Sequence, residues 1–272
     1  MATIIIQRQD GTEYDLDALG FRVKSFSVPL NNNSYNYQQV GKYGSMMTTF
    51  ASQYLVIPLT IVITAVDMAD YNLQLLELRR IFRSDEDFYV INAITPFMRW
   101  KVRAEAVTPT QQSNFWQSAD VAINLDCADG YAESVATTLD WNVEEWGFGL
   151  NVPKDEISYE FMQSDFSFWN LGMIPLLADE RPAKIIFQGN APNGFTITNN
   201  TTQQSIQIKR GVSSSDKVII DGVMPLINGQ QAYNDCDHGY LDFVTGENKL
   251  HVDGASDFSL RRPGFTTKEA IK

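Results

Sequence analysis

The segment 235–239, of sequence DCDHG, comes nearest in this chain to the pattern of a metal site, and Asp242 follows it closely. In a calcium loop, alternate positions present oxygens to one ion, and a glutamate at the twelfth position supplies two more. Here glycine stands at the fifth position, Gly239, and at the twelfth, Gly246. Because the ligand set is incomplete, the pattern favours a polar loop and predicts no metal and no cofactor.

Histidines and paired acids, which serve as catalytic groups in many enzymes, occur here without the neighbours that catalysis needs. His238 and His251 are the two histidines, and they are too far apart to form an i, i+4 metal-binding pair. Neither has an evident serine or cysteine nucleophile as a partner. Glu144 and Glu145 are adjacent, so they point different ways in an extended segment, unlike the facing carboxylates of a glycosidase. We therefore predict no catalytic residue and no enzyme activity.

Glycines and tryptophans provide two further candidate sites. Gly147 and Gly149 form half of a dinucleotide-binding fingerprint, but no third glycine and no helix pattern follow them, which indicates a linker. Trp141, Trp146 and Trp169 could form a platform for sugar rings. Large aromatic side chains are more often part of a hydrophobic core. Carbohydrate binding therefore stays as the alternative function.

The charge balance argues against specific nucleic-acid binding. The 272 residues include 21 Lys and Arg against 33 Asp and Glu, a net charge of −12. Residues 1–150 contribute −8 and the remainder −4. DNA binding draws its sequence-independent affinity from Lys and Arg that neutralise phosphates, and this chain has no basic run. A surface that DNA merely slides past is compatible with this composition.

Cysteine usage and hydropathy favour a protein that is made and kept in a cytoplasm. Cys127 and Cys236 lie in different halves of the chain, which predicts two reduced, isolated thiols. The longest apolar run, residues 55–63, is interrupted by Pro58 and is far shorter than the roughly 20 residues of a membrane helix. The start of the chain, MATIIIQRQDG, lacks the features of a signal peptide. We expect no membrane insertion.

The first half of the chain has the pattern of an α+β domain. A β-hairpin is predicted around Asp10-Gly11, with strands over 3–8 and near 14–16. Between Asp67 and Arg83, apolar residues recur with the period of a helix, and they are Tyr71, Leu75, Leu78 and Phe82. Further strands are predicted over 21–28, 54–64, 88–93, 99–108 and 119–126, with Pro58 at a sheet edge or a bulge.

Residues 30–53 form a polar stretch whose apolar side chains are too few to make a core of their own. The stretch is either a mobile loop or an extended arm that lays these side chains on an adjacent subunit. As an arm, its candidate inter-subunit contacts are Tyr35, Tyr37, Tyr43, Met46 and Met47.

The second half of the chain has short strands and regular turns but no helical pattern. Gly, Asn and Asp punctuate the predicted strands, which cover 157–163, 166–169, 183–188, 194–199, 204–209, 217–221, 240–244 and 249–252. Eight or more short strands are typical of a β-sandwich. We place the boundary near residue 150, which gives domains 1–150 and 151–272, with the arm at about 30–53.

The order of these elements resembles the distal tail (Dit) proteins of long-tailed, siphovirus-type bacteriophages. The resemblance covers the whole chain by order of elements, and its specific sequence motifs lie between Asn170 and Gly254. It rests on turn motifs taken as an ordered set: Asn170 with Gly172, Asn199 with the threonines after it, Asp221 with Gly222, and Asn228 with Gly229. The fold class that it implies is mostly β with one main helix, an N-terminal α+β ring-forming domain followed by a galectin-like β-sandwich.

The resemblance also implies a function in assembly. Dit proteins are structural hubs, usually homo-hexamers, that join the tail tube to the tail tip or baseplate and let DNA pass through a central channel. The implied partners are the tail tube protein, a tail-associated tip or lysin protein, and further baseplate or receptor-binding proteins. The implied location is the virion tail tip, after assembly in the cytoplasm of the host bacterium. The alternative is a carbohydrate-binding module that attaches the virion or a cell-wall enzyme to host surface glycans.

Overall fold

Strands dominate the part of the chain that the computed structural model describes, namely residues 3–30, 33–109, 121–135, 158–180 and 182–261. This part contains twenty strands and one α-helix, which confirms the prediction of a mostly β protein with one main helix. The chain divides into two compact units, Met1–Val135 and Ala136–Lys272. The boundary predicted near residue 150 lies within 136–157, outside the described residues, so it stays a prediction.

The first unit contains ten strands and the helix. In chain order they are β1 (Ile4–Gln7), β2 (Glu13–Asp15), β3 (Arg22–Phe26), β4 (Asn33–Gln39), β5 (Ser45–Ser52), β6 (Leu55–Val62), α1 (Met68–Ile81), β7 (Phe88–Asn92), β8 (Met98–Ala104), β9 (Val121–Cys127) and β10 (Glu133–Ser134). Eight of these strands form one sheet in the order β2-β1-β7-β8-β9-β6-β3, with β10 paired to β8. All of its pairs are antiparallel, while β4 and β5 form a separate two-stranded sheet.

The predicted first hairpin is confirmed, and its turn follows the local chemistry. Asp10 accepts a hydrogen bond from the Thr12 amide at 2.8 Å, and Gly11 takes a positive φ of 89°. A left-handed φ at this turn favours glycine, which has no Cβ to clash with the backbone. Ile4 and Ile6 alternate along β1 and are fully buried in the core of the unit.

Strand β6 lies between β9 and β3 in the sheet, but its residues up to Pro58 pair with β9 alone, so Pro58 stands at a local edge, as the sequence predicts. Its alternating burial places Leu55, Ile57, Leu59 and Ile61 in the core. The residue pairs with β3 run from Val62 to Leu59, so Pro58 stands just beyond the last of them. Proline has no backbone N–H, and it is tolerated there because the ladder with β3 has ended and needs no donor at this position.

Helix α1 begins and ends where the sequence predicts. Asp67 is its N-cap and accepts a hydrogen bond from the Asp70 amide at 2.8 Å, while Arg79 and Arg80 lie in its last turn. Such a cap satisfies one of the free N–H groups at the start of a helix. An acidic residue at the N-terminus and basic residues at the C-terminus also interact favourably with the helix dipole. The four apolar residues predicted to lie on one side of the helix pack on the sheet: Tyr71 and Leu78 are buried, and Leu75 and Phe82 are partly buried against the same core.

The second unit contains ten strands. They are β11 (Glu160–Phe161), β12 (Asp165–Asn170), β13 (Lys184–Asn190), β14 (Phe195–Asn199), β15 (Gln204–Ile208), β16 (Val218–Asp221), β17 (Met224–Ile227), β18 (Gln230–Gln231), β19 (Gly246–Asp253) and β20 (Ser256–Arg261). One sheet has the order β11-β20-β13-β16-β17-β18 and the other the order β12-β19-β14-β15. Inward side chains of both sheets share one hydrophobic core, as in a β-sandwich.

The second unit differs from the prediction at residues 240–244 and in the strands β17, β18 and β20, which were not predicted. Residues 240–244 were expected to form a strand, but only the isolated bridge between Leu176 and Phe243 occurs there. The Asn-Gly pair forms a tight turn, as its residue types predict, with positive φ at Asn228 (51°) and Gly229 (78°), and it joins β17 to β18. Asn-Gly favours this hairpin turn because both residues tolerate a left-handed backbone.

Three buried asparagines secure the loops of the second unit. Asn199 donates to the carbonyl of Asp242 at 2.8 Å, and Asn248 accepts from the Val244 amide and donates to the Val244 carbonyl. Asn170 holds the next turn by donating to the carbonyl of Ile174 at 2.9 Å. Buried backbone groups in irregular segments need such partners. The asparagines that led to the family resemblance therefore have a structural role in holding turns.

Candidate functional site: the exposed β4–β5 hairpin

The predicted arm is a β-hairpin. Strands β4 and β5 pair along their whole length, from Asn33 opposite Ser52 to Gln39 opposite Ser45. The register shifts between Asn36 and Tyr37, where Thr48 is the extra residue of a bulge. Two polar contacts hold this register: Asn36 Nδ2 donates to Thr49 Oγ1 at 2.8 Å, and Thr48 Oγ1 donates to the Asn36 carbonyl at 3.2 Å.

One face of the hairpin is aromatic. Tyr35 and Tyr37 are two positions apart in β4, so they point to the same side, and their ring centroids are 6.4 Å apart. Phe50 pairs with Tyr35 across the strands with a centroid distance of 5.7 Å, and Met47 pairs with Tyr37. Phe50 was not among the residues predicted for the arm. It is three positions from Met47, a spacing that puts two residues on opposite faces of a regular strand, and only the bulge brings them to one face.

The structure does not bring all five predicted residues together. Met46 pairs with Gln38, which alternates with Tyr37 in β4, so Met46 lies on the opposite face. Tyr43 lies in the turn between the strands, where the Lys42 ammonium is 5.4 Å from its ring centroid. Tyr35, Tyr37, Met47 and Phe50 therefore make up one surface, which we call the aromatic face of the hairpin.

The aromatic face is uncovered within the described part of the chain. The exposed fractions are 47% for Tyr35, 64% for Tyr37, 50% for Met47 and 57% for Phe50. An isolated two-stranded hairpin is marginally stable in water, and contiguous exposed apolar patches mark interaction surfaces. Residues 33–52 carry a single charge, that of Lys42. Covering this face with another surface therefore removes apolar area from water without desolvating a carboxylate.

The acidic run 85–87 is paired with cations. Arg8 reaches Glu86 at 2.8 Å, and Arg103 reaches Asp87 at 2.5 Å, while Arg83 contacts Asp85. The hydrogen bond from Arg83 lowers the pKa of Asp85. Partial burial works to raise the pKa of Asp87, but the hydrogen bond from Arg103 and the charge of Lys101 outweigh it and lower that pKa. Each of these acids lies beside an arginine, so together they do not form a bare negative patch.

In the candidate metal loop, the carboxylates of Asp237 and Asp242 accept hydrogen bonds from backbone amides and from a side chain. Asp237 Oδ1 accepts from the amides of Gln207 and Gly239, both at 2.9 Å. Asp242 accepts from the Ala178 amide at 2.9 Å and from Gln204 Nε2 at 2.8 Å. No three His, Cys, Asp or Glu side chains are grouped to hold a metal ion among the residues that the structure describes.

The two histidines lie in different settings. His238 stacks on Tyr233 with a centroid distance of 4.2 Å, and its Nδ1 lies 3.6 Å from Cys236 Sγ, a proximity that the sequence analysis did not predict. Cys236 is 2% exposed and also accepts from the His238 amide, so this pair stabilises a turn. His251 contacts Asp165 across the strands at 2.7 Å. Both cysteines are free, as predicted.

The remaining candidates offer no assembled site. Trp169 lies on strand β12 opposite Glu247 and is 39% exposed. Trp141, Trp146 and the residues Glu144, Glu145, Gly147 and Gly149 lie outside the described residues. Among the described residues, no helix is long and apolar enough to cross a membrane. The aromatic face of the hairpin is therefore the strongest candidate for a functional surface.

Comparisons with known proteins give a family for most of the first unit and a fold for the whole chain. Residues 9–127 match the family described as the phage tail protein RIFT-related domain. No curated protein sequence matches the chain. The crystal structure of the Dit protein (gp 19.1) of phage SPP1 matches with a TM-score of 0.70 and 11% identity. This match covers 97% of the present chain and 99% of the SPP1 protein, which is described as a paradigm of the hub adsorption apparatus in phages that infect Gram-positive bacteria.

A second solved structure with a matching chain is the baseplate of phage P2 in its activated conformation with Ca. That match has a TM-score of 0.46 and 9% identity, and it covers 98% of the present chain and 99% of the P2 chain. The resemblance stated from the sequence is confirmed by the family match and by the SPP1 fold. Residues 9–127 therefore match the phage tail protein RIFT-related domain, and the chain as a whole has the fold of the SPP1 Dit protein.

Proposed function

We propose that this protein is a hub of the phage tail, which joins the tail tube to the tail tip or baseplate. The observation that carries the proposal is the aromatic face of the β4–β5 hairpin, which projects uncovered side chains from a phage tail domain. A structural hub needs extended contact surfaces, and it needs no catalytic group. The protein acts in this role as an assembly component and not as an enzyme.

The hairpin supports a head-to-tail assembly. Its aromatic face lies on a surface that is distinct from the rest of the first unit, since β4 and β5 pair only with each other. A contact between one patch of a subunit and a different patch of the next repeats until the rotation closes a ring. In the proposed hub the ring is a homo-hexamer, and each hairpin reaches the adjacent subunit through Tyr35, Tyr37 and Phe50.

The ring encloses a channel through which DNA passes. Residues 1–150 carry a net charge of −8. Proteins bind DNA when clustered Lys and Arg neutralise phosphates and release counterions. A negatively charged channel wall has no such cluster, so DNA passes without being bound. Because Asp85, Glu86 and Asp87 are paired with arginines, the repulsion in this proposal comes from the other acids of the first unit.

The second unit provides surfaces for other tail proteins. Its turns are rigid, because buried asparagines hold them, and rigid loops are suited to specific contacts. The proposed partners are the tail tube protein on one side, and tip, lysin or receptor-binding proteins on the other. Assembly takes place in the cytoplasm of the host bacterium, and the finished protein lies at the tip of the virion tail.

Native mass spectrometry of the purified chain tests the proposal, followed by negative-stain imaging of any ring. We expect a closed homo-hexamer with a central opening. A chain that remains monomeric at high concentration, and that binds cell-wall glycans, would overturn the hub and favour the carbohydrate-binding module. A ring whose inner wall carries net positive charge would contradict the proposed DNA channel while leaving the hub in place.

A further inference from the structure

Helix α1 is apolar on two opposite faces. The inner face packs on the sheet through Tyr71 and Leu78. On the outer face, Leu73 is 65% exposed and Leu76 is 56% exposed, and neither is covered within the described part of the chain. Leu73 and Leu76 are neighbours at i and i+3 on the helix, and contiguous exposed apolar side chains mark interaction surfaces. The outer face is therefore expected to be covered in the assembled protein.

The outer residues form a continuous stripe. Ala69, Leu73, Leu76 and Arg80 follow one another at i, i+4, i+7 and i+11, the spacing that keeps side chains on one side of a helix. All four are exposed. The stripe is apolar apart from the cationic Arg80 at its end, and we call it the outer stripe of α1.

We propose that the aromatic face of the hairpin packs on the outer stripe of α1 in the next copy of this chain. This inference rests on the proposed function, because it names the receiving surface of the head-to-tail contact. Both surfaces belong to the first unit, and both remain exposed in a single copy. One repeated contact that joins them covers both at once, whereas a helix-to-helix contact would leave every hairpin uncovered.

The two surfaces match in length. Strands of seven and eight residues extend roughly 23–26 Å at about 3.3 Å per residue. Fourteen helical residues extend about 21 Å at 1.5 Å per residue.

The two surfaces also match in chemistry. Leu73 and Leu76 offer apolar area to the rings of Tyr35 and Phe50. At the other end of the stripe, guanidinium groups suit aromatic faces, and Arg80 already lies 5.3 Å from the ring centroid of Tyr14. The hairpin has no carboxylate that would compete with Glu77 for Arg80. The Arg80–Glu77 ion pair on α1 therefore persists in the proposed contact.

Cysteine cross-linking in the full chain tests the receiving surface. Gln39 lies two positions beyond Tyr37 on the same side of β4, and Asn72 lies beside Leu73 and Leu76 on α1. Both are exposed and neither is part of the apolar contact, so Gln39→Cys and Asn72→Cys leave the two surfaces intact. Cys127 and Cys236 are buried and give little background. Treatment with a short bismaleimide is followed by a denaturing gel, and native mass spectrometry reports the ring for each variant.

We expect a ladder of linked chains, up to the size of the ring, from the double variant Gln39→Cys/Asn72→Cys alone. Each single variant remains a monomer on the gel, because the hairpin of one copy then faces no cysteine. A matched control combines Gln39→Cys with Ile94→Cys, a site that is 69% exposed elsewhere in the first unit, and it gives no ladder.

The outcomes distinguish the two proposals. An intact ring that gives no ladder overturns the receiving surface and leaves the hub in place. An intact ring in which the single variant Asn72→Cys forms linked dimers indicates a helix-to-helix contact, and it has the same consequence. A ladder from the Ile94→Cys control equal to that of the double variant overturns it as well. A wild-type chain that forms no ring at any concentration overturns the proposed hub, and this inference with it.

Discussion

The β4–β5 hairpin of the first unit and the β14–β15 hairpin of the second have similar strand pairing and different surroundings. In β14–β15 the inward residues Phe195, Ile197, Ile206 and Ile208 are 2% exposed or less. In β4–β5 the aromatic face is about half exposed, at 47–64%. The buried hairpin contributes to folding through its own core. The aromatic face of the exposed hairpin can be buried only against another molecule. Substitutions in β14–β15 should therefore lower stability, and substitutions in β4–β5 should weaken assembly.

The largest expected effect is on folding, from Ile197→Ala in β14. Ile197 is fully buried, and the removal of such a side chain costs about 2–5 kcal/mol in lost burial and cavity formation. The unfolding free energy of the second unit should fall by that amount in a denaturant titration followed by circular dichroism. Tyr37→Ala in β4 is the matched control and should change stability by less than about 0.5 kcal/mol, as surface changes do. Equal losses would refute the contrast between the hairpins.

The next effect is on assembly, from the double change Tyr35→Ala/Phe50→Ala. Buried aromatic side chains at the centre of an interface contribute about 2–4 kcal/mol, which corresponds to a roughly 30- to 700-fold weaker association. A dilution series measured by mass photometry should show the ring dissociating at higher protein concentration. Gln38→Ala, on the opposite face of β4, should leave the ring unchanged. Loss of the ring with Gln38→Ala would show that the contact uses the other face.

A smaller effect is expected at the N-terminus of α1, and it separates weaker folding from weaker assembly. Asp67→Ala removes the cap that accepts from the Asp70 amide, at a cost of about 1 kcal/mol to the first unit. The thermal midpoint should fall while the ring survives, because the cap lies outside both contact surfaces. Asp67→Asn keeps a capping oxygen and should restore most of the stability. A ring lost with Asp67→Ala but kept with Asp67→Asn would mean that assembly requires a stable α1.

The smallest effect concerns pH. Hydrogen bonds from the Ser213 amide, from Asn228 and from the Ser213 hydroxyl lower the pKa of Asp216 to about 2. Because this folded-state pKa lies below the usual 3.8, the carboxylate stabilises the second unit above about pH 4. That contribution is lost as the pH falls through about 2. Thermal unfolding of Asp216→Asn between pH 5 and 2 should therefore depend less steeply on pH than that of the wild type.

The β4–β5 hairpin provides the comparison for this experiment. Residues 33–52 contain no Asp or Glu, so the aromatic face keeps its charge over the same pH range. Acid should weaken the second unit before it changes the hairpin contact. If Asp216→Asn has the same pH dependence as the wild type, its hydrogen bonds do not contribute to stability in solution.

The local patterns of the sequence predicted most elements of the fold. The first hairpin, α1 with its cap at Asp67, and most strands lie where turn residues and apolar periodicity placed them. Strand β20 and the pair β17–β18 were missed, and a strand over 240–244 was predicted wrongly. A short strand is decided by its neighbours in the sheet, because its own few residues carry a weak preference. Phe243 lies in a loop that buried asparagines hold, and no local pattern reveals this.

The candidate surface was predicted only in part, for a similar reason. The sequence indicated that residues 30–53 have too few apolar side chains to make a core of their own, and it singled out Tyr35, Tyr37 and Met47. It also grouped Met46 with them, which the register places on the opposite face, and it omitted Phe50. Side chains meet across strands only after the register is fixed, and the bulge at Thr48 fixes it here.

The sequence by itself determined the β-rich composition, the amphipathic inner face of α1, the turn residues of the second unit and the acidic charge. These follow from residue types and from spacing along the chain. The tertiary structure decided which exposed residues share a surface: Phe50 with Tyr35, and the outer stripe of α1 left uncovered beside its buried inner face. That knowledge depends on contacts between residues far apart in the chain, which the pairing of strands and the packing of the helix create.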